Sequence, residues 1–283
     1  MDGIRIPCPA KINLSLDVIG KRPDGYHLLR MLMQSVSLYD YVTVEKIEEN
    51  IELTCSRQDI PCDKSNTAYK MACIILDKYN IHCGVKIHIE KNIPSGAGLA
   101  GGSADAAGVM KAMNQLFNLN MSMQEMLDEG LKVGADVPYC IMGGTALAEG
   151  IGERLTPLRP LKKTWCVIAK PDIAISTKEA YGALRMDKII RHPATDQLIG
   201  YIKAGEVKKL ASGMVNVLED ACISRYPEIY EIRKLMQQQG AMGSMMTGSG
   251  SAVFGLFQSR NDAERCSNAL NSRLREVFLV ETC

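Results

Sequence analysis

The stretch Pro94-Ser95-Gly96-Ala97-Gly98-Leu99-Ala100-Gly101-Gly102-Ser103-Ala104-Asp105-Ala106-Ala107 constrains this chain more than any other part of it. Just before it, Val85, Ile87 and Ile89 alternate with Lys86, His88 and Glu90, the period-two pattern of a half-buried strand. Just after it, Met110, Met113, Leu116 and Phe117 supply the apolar stripe of a helix predicted from about Ser103 to Phe117. Between strand and helix lie four glycines, at positions 96, 98, 101 and 102, more than a tight connection needs. Residues without Cβ let several backbone N–H groups converge on an anion, and the helix N-terminus adds unpaired donors and a partial positive charge. The segment reads as a seat for phosphate that needs no cluster of lysines.

Three familiar phosphate loops do not account for it. Gly96, Gly98 and Gly101 satisfy G-x-G-x-x-G, but the acid that should follow about 20 residues later, at the end of a second strand, would fall in helix and turn. No lysine follows Gly102 as a Walker loop requires, and the V-A-I-K and H-R-D segments of protein kinases are absent.

The rest of the chain sets the class. Its 283 residues suggest about two domains, and 46% hydrophobic with 23% charged residues is ordinary for a globular protein. Lys+Arg number 33 and Asp+Glu 32, a net charge of +1, so there is no electrostatic case for nucleic acid or an anionic membrane as main partner. The ten cysteines include no C-x-x-C pair. They are expected to be reduced thiols packed as small hydrophobes in a cytoplasmic protein. The N-terminus lacks a signal peptide's apolar core, and no apolar run approaches the ~20 residues that span a bilayer.

Strands are predicted over Ile4–Val18, Val36–Ile47, Ile51–Cys55, Thr145–Ala148, Trp165–Ala169 and Val253–Phe257. In the first, Ile12, Leu14, Leu16 and Val18 should face a core and the alternate residues solvent or ligand. Helices are predicted over Asn66–Tyr79, from a Ser122/Glu125 capping box to near Gly134, and over Pro227–Gln239 with Gly240 as the stop. The Pro-rich, basic Thr156-Pro157-Leu158-Arg159-Pro160 marks a candidate boundary, dividing the chain into domains 1–158 and 159–283.

The glycine segment resembles the phosphate loop of the GHMP family of small-molecule kinases, roughly P-x-x-x-G-L-G-x-S-x-A. Two further family blocks are present, Pro9-Ala10-Lys11-Ile12-Asn13-Leu14 and Thr247-Gly248-Ser249-Gly250-Ser251-Ala252-Val253-Phe254. Arg22-Pro23-Asp24-Gly25-Tyr26-His27 and Gly134-Ala135-Asp136-Val137-Pro138 narrow the match, which runs in order from about residue 5 to 257. The resemblance implies an α+β, two-domain GHMP kinase fold with the active site in the interdomain cleft. Residues 1–158 would form the ATP-binding domain. It also implies ATP-dependent phosphorylation, with Mg²⁺, of the 2-hydroxyl of a cytidine-diphosphate-linked methylerythritol in non-mevalonate isoprenoid precursor synthesis.

Residue by residue, the resemblance makes Asp136 the catalytic acid–base and Lys11 the cation that offsets charge on the transferring group. On residue type alone, Asp136 could instead cap a short helix and Lys11 could be a snorkelling surface lysine. The ATP side comprises Pro94, Ser95, Gly96, Ala97, Gly98, Leu99, Ala100, Gly101, Gly102, Ser103 and Ala104, with Asn66 and Lys91 toward the adenine. Ala100 and Ala104 depart from the family's glycine and serine, leaving Ser103 as the hydroxyl for phosphate or Mg²⁺. On the acceptor side, Tyr26 would face the cytosine ring, His27 bond its edge and Tyr181 lie across it, with Thr177 close by and Asn13 on the methylerythritol. Thr247, Gly248, Ser249 and Gly250 would support the loop rather than form only a hairpin turn. His82, His88 and His192 have no ligand-like spacing and are expected to be structural. The rivals are a GHMP kinase for homoserine, mevalonate or a sugar, a nicotinamide oxidoreductase using G-x-G-x-x-G, and a silent nucleotide-binding protein.

Overall fold

The computed structural model describes residues 3–283. The chain divides into two compact units, each made of several segments. One comprises the segment ending at Ala10, Leu38–Ser95 and Ala100–Gly143; the other comprises Lys11–Ser37, Gly96–Leu99 and Gly144–Cys283. Two long strands, β1 (Ile4–Lys21) and β2 (His27–Ile47), pair with each other and contribute to both. Both exceed their predicted lengths. In β1 every residue from Lys11 to Val18 is buried, so the expected solvent face, Lys11, Asn13, Ser15 and Asp17, is covered as well. A polar face under cover needs partners inside the protein, and these define the candidate site.

In the first unit, β3 (Ile51–Cys55), α1 (Thr67–Lys78) and β4 (Gly84–Glu90) form a parallel strand–helix–strand unit, and β4 also pairs antiparallel with Tyr41–Ile47 of β2. Val42, Val44, Ile87 and Ile89 of the strands are fully buried, as are Met71 and Ile75 of α1. The helix after the glycine segment, α2 (Gly101–Leu116), packs on α1 and contributes buried Met110 and Met113. It starts two residues earlier than predicted. Helix α3 (Met123–Leu131) opens on the Ser122/Glu125 capping box, and α4 (Val137–Met142) packs on both α2 and α3. The region about 20 residues past the glycines is turn and α3, so the dinucleotide reading has no second strand for its acid.

The start of α2 is unusual. Its N-cap, Ala100, has φ 60° and ψ 29°, and no side chain caps the helix. An L-residue in the left-handed region carries a steric cost of about 1–2 kcal/mol, which glycine avoids while losing more chain entropy, about 0.5–1 kcal/mol. Ala100→Gly is therefore expected to stabilise the protein by up to about 1 kcal/mol, seen in a melting curve as a Tm rise of roughly 2 °C.

In the second unit, β5 (Thr145–Gly150) pairs with Leu29–Gln34 of β2 and with β6 (Arg154–Pro157). Part of the Pro-rich stretch is thus strand. A separate sheet of β7 (Trp165–Lys170), β8 (Gly243–Met246), β9 (Val253–Phe257) and β10 (Glu276–Glu281) runs in the order β10-β7-β9-β8. Helices α5 (Thr177–Ala183), α6 (Thr195–Ala204), α7 (Val207–Gly213) and α8 (Glu219–Ile223) precede α9 (Pro227–Gln238), which packs on β8 and β9. Proline in the first turn and Gly240 at φ 93° bracket α9 as predicted. Helix α10 (Arg260–Asn271) packs on β7 and β10.

All ten cysteines are free. Cys8, Cys140, Cys166, Cys222 and Cys266 are buried as expected, and burial pushes the Cys8 thiol up to about 12. Cys62, Cys73 and Cys283 are exposed, against the expectation. His192 is satisfied by Asp17 at 2.7 Å and His88 by the Thr54 hydroxyl at 2.9 Å. Among the described residues, no helix is long and apolar enough to cross a membrane.

Candidate active site

Lys11 is 4% exposed, so it is not a snorkelling surface lysine. Its Nζ donates to Asn13 Oδ1 at 2.7 Å, and among the described residues it makes no ion pair. A buried ammonium with a neutral partner is costly unless an anion completes it. The ammonium lies near the third block: a Cβ added to Gly248 would be 3.2 Å from Lys11 Nζ. The Lys11 N–H donates to Leu99 O at 3.1 Å and the Asn13 N–H to Thr247 Oγ1 at 3.1 Å. Strand β1 thus joins the glycine loop to the loop between β8 and β9.

Those two loops touch directly. Thr247 Oγ1 donates to Gly98 O at 3.5 Å, and the Ala252 N–H donates to Ala97 O at 3.3 Å. Gly98 has φ 72°, and a Cβ there would fall on the Thr247 carbonyl oxygen. Only glycine permits this approach. The 247–252 block is therefore both a hairpin turn and a support for the glycine loop. Asn216, which the sequence analysis did not single out, fixes it by donating to Met246 O and Gly248 O at 2.9 and 2.8 Å. Its three acceptor and donor contacts come from a non-helical position far along the chain, so no local pattern announces it.

The side chains of Ala97 and Leu99 in the second unit, and of Ala104 in the first, are packed away, leaving their backbone as the part that can meet a ligand. At the start of α2 no side chain caps the helix, so its first N–H groups have no capping side-chain partner, and Ser103 is half-buried in the first turn. Two buried side-chain oxygens among the described residues lack a hydrogen-bond partner, Ser95 Oγ and Asp105 Oδ1, and both lie in this stretch.

Two nucleotide candidates are already engaged. Asn66 caps α1, accepting from the Ala68 N–H at 2.9 Å and donating to Pro61 O at 2.7 Å. Lys91 is buried and paired with Asp40 and, at 2.7 Å, with Asp105. Its side chain is 3% exposed, so the ammonium serves the interior and not a nucleotide. Burial pulls the Lys91 pKa down, but the two carboxylates carry it above its usual range. Burial also pushes Asp105 up to about 7; Lys91 opposes this and Asp40 adds to it.

Asp136 sits at the N-terminus of α4 with φ −83° and ψ −13°, and its side chain makes no capping hydrogen bond. The capping alternative is therefore absent. Proline in the first turn starts the helix without it.

On the acceptor side, the His27 ring stacks on Tyr181, centroids 5.1 Å apart and planes inclined by 28°. Tyr26, the expected face of the base, is 60% exposed, and His27, the expected edge contact, is the ring that meets Tyr181. The Asp24-Gly25 turn sets this, because Arg22 and Tyr26 close it by a 2.7 Å backbone bond and direct successive side chains to opposite sides. Burial, helped by the Lys21 charge, holds His27 below its usual pKa. It is then neutral near pH 7, with one donor and one acceptor nitrogen. Thr177 Oγ1 lies 3.4 Å from Ser249 Oγ, at the start of the helix that carries Tyr181.

Comparison with known proteins gives the family. Residues 66–144 match the GHMP kinases N terminal domain and residues 198–276 the GHMP kinases C terminal domain. A 4-diphosphocytidyl-2-C-methyl-D-erythritol kinase of Clostridium botulinum (strain Alaska E43 / Type E3) is 50% identical over 273 residues, covering 96% of this chain and 98% of that protein. One from Caldicellulosiruptor saccharolyticus is 46% identical over 275 residues, 97% of this chain and 95% of its own. A crystal structure of 4-(cytidine 5'-diphospho)-2C-methyl-D-erythritol kinase superposes with a TM-score of 0.86 at 33% identity, over 99% of both chains. With a buried lysine held against a glycine-rich loop, and with relatives matched along nearly its whole length, the chain belongs to the GHMP kinase family.

Proposed function

We propose that this protein transfers the terminal phosphoryl group of ATP to the 2-hydroxyl of 4-diphosphocytidyl-2-C-methyl-D-erythritol. The observation that carries the reading is Lys11: a buried ammonium without a carboxylate partner, held by Asn13 and bonded through its backbone to the glycine loop. Phosphoryl transfer supplies the anion such a group lacks. Relatives near 50% identity that are named for this substrate support the choice of acceptor.

In this reading the amides of Gly101, Gly102 and Ser103 receive phosphate oxygens, and the unpartnered Ser95 hydroxyl donates to the same group. Mg²⁺ would arrive with ATP as part of the substrate and offset its phosphate charge, and the Ser103 hydroxyl would be the side chain that holds that complex. Asp136 orients the hydroxyl and accepts its proton late, as suits a loose transition state in which the oxygen becomes acidic only as the new bond forms. Lys11 offsets charge on the transferring group. Neutral His27 offers the donor–acceptor pair that reads a base edge, and the Tyr181 ring supplies a stacking face.

A panel of alcohols, with ATP consumption as readout, tests this. Turnover is expected with the cytidine-linked alcohol and not with homoserine, mevalonate or a sugar. Turnover on one of those and none on the cytidine-linked alcohol would overturn the assignment.

A further inference from the structure

The glycine loop leaves the sheet at Lys91 and returns to regular structure in the first turns of α2. Both ends are tied to one buried cluster. Asp40 of β2 accepts from the N–H groups of Asn92 and Ile93, at 2.6 and 2.8 Å, through one carboxylate oxygen. Its other oxygen pairs with Lys91 Nζ. The same ammonium reaches across to Asp105 Oδ2 at 2.7 Å, in the second turn of α2. It also lies under the helix's first residue: a Cβ added to Gly101 would be 2.9 Å from Lys91 Nζ. The side chains of Asp40, Lys91 and Asp105 are 0%, 3% and 4% exposed.

Three charges in the interior are an expensive way to join a strand to a helix. Apolar residues of similar volume would do so at equal or lower free energy. What an ion pair adds is direction. The cation sits where it can bond the loop's entry, through Asp40, and its exit, through Asp105, so it sets the separation of the two ends. The loop between them contributes the amides assigned to the phosphates, and amides act on an anion only when they converge before it arrives.

We propose that Asp40, Lys91 and Asp105 are positioning residues for nucleotide binding, a buried clasp that closes the base of the glycine loop and sets the start of α2. This rests on the reading that the loop holds the phosphates of ATP. The three side chains are buried and bond to one another and to the loop's backbone, so the clasp acts on affinity for ATP and leaves the acceptor alone.

The test is steady-state kinetics on the full-length Asp105→Ala and Asp105→Asn variants, varying ATP and the acceptor alcohol separately. Ala removes the clasp's second anchor, and Asn replaces an ion pair with a neutral hydrogen bond. The KM for ATP is expected to rise about 10-fold in the Ala variant and about 3-fold in the Asn variant, with the KM for the alcohol within twofold of the wild type. A purely structural role would lower the active fraction, and so kcat, while leaving both KM values in place. Unchanged KM for ATP, or an equal rise in both constants, overturns the proposal. If the Ala variant does not fold, the Asn variant decides by the same criteria. Absence of ATP turnover by the wild-type protein with every alcohol would instead sink the functional reading, and the clasp's role with it.

Discussion

Asp136→Asn is expected to lower kcat by about 10²–10⁴-fold while leaving Tm unchanged. The size follows from the task assigned to the side chain. Asn keeps the shape and can still accept a hydrogen bond from the acceptor hydroxyl, but it cannot take the proton, so only the acid–base contribution is lost. The unchanged stability follows from structure. An Asp that capped α4 would accept from the first-turn amides, and its replacement could alter the helix; Asp136 makes no such bond. Asp136 is half-buried, α4 has Pro138 in its first turn, and the helix packs through buried Val137, Tyr139, Cys140 and Ile141. Initial rates at saturating ATP and alcohol, with thermal melts on the same samples, check both halves. An Asn variant with near-normal turnover would show that the hydroxyl needs no base.

Lys91→Met should have the largest effect on stability, about 3–5 kcal/mol, because it strands two buried carboxylates without their cation. Denaturant titration measures it. The loss should also depend on pH. Asp105 in the wild type is already raised, to about 7, by burial first and by Asp40. An acid whose folded pKa lies above its unfolded value near 3.9 contributes stability that is fully present below that value and is lost as pH rises through the folded pKa. Wild-type stability should accordingly decline between about pH 4 and pH 7 through this group. Removing Lys91 takes away the interaction that opposes the rise, so the decline extends to higher pH. The gap between variant and wild type is expected to widen from pH 6 to pH 8. A gap that stays constant across that range would mean that one of the two carboxyls is already protonated throughout.

Much of the frame around the candidate site was legible because strand period, missing Cβ atoms and helix capping leave local marks. The glycines between 96 and 102 must precede a helix, and the strand of Val85, Ile87 and Ile89 before them has a period that the backbone imposes. The capping box at Ser122 and the proline and glycine that bracket α9 are likewise local effects, and they stand where they were expected. Roles that depend on distant partners were read less well. The resemblance puts Lys91 toward the adenine, but its ammonium is paired with two acids that come from residues 51 and 14 positions away. Asn66 has the side chain of a ligand and the position of a helix cap, and its amide is engaged by the Ala68 N–H and the Pro61 carbonyl.

By itself, then, the amino-acid order determined the strand, the glycine-rich loop and the helix that follows it, and the family blocks. These depend on periodicity, on missing Cβ atoms and on propensities that act over a few residues. Only the tertiary structure decided that the polar face of β1 is buried, that Lys11 keeps a neutral partner while Lys91 gains two acids, that Thr247 lies against Gly98, and that His27 rather than Tyr26 meets Tyr181. Each of those outcomes turns on which charge or ring is brought close once water is excluded, and the strength of an electrostatic or stacking contact is set by that proximity, not by the residues that flank it along the chain.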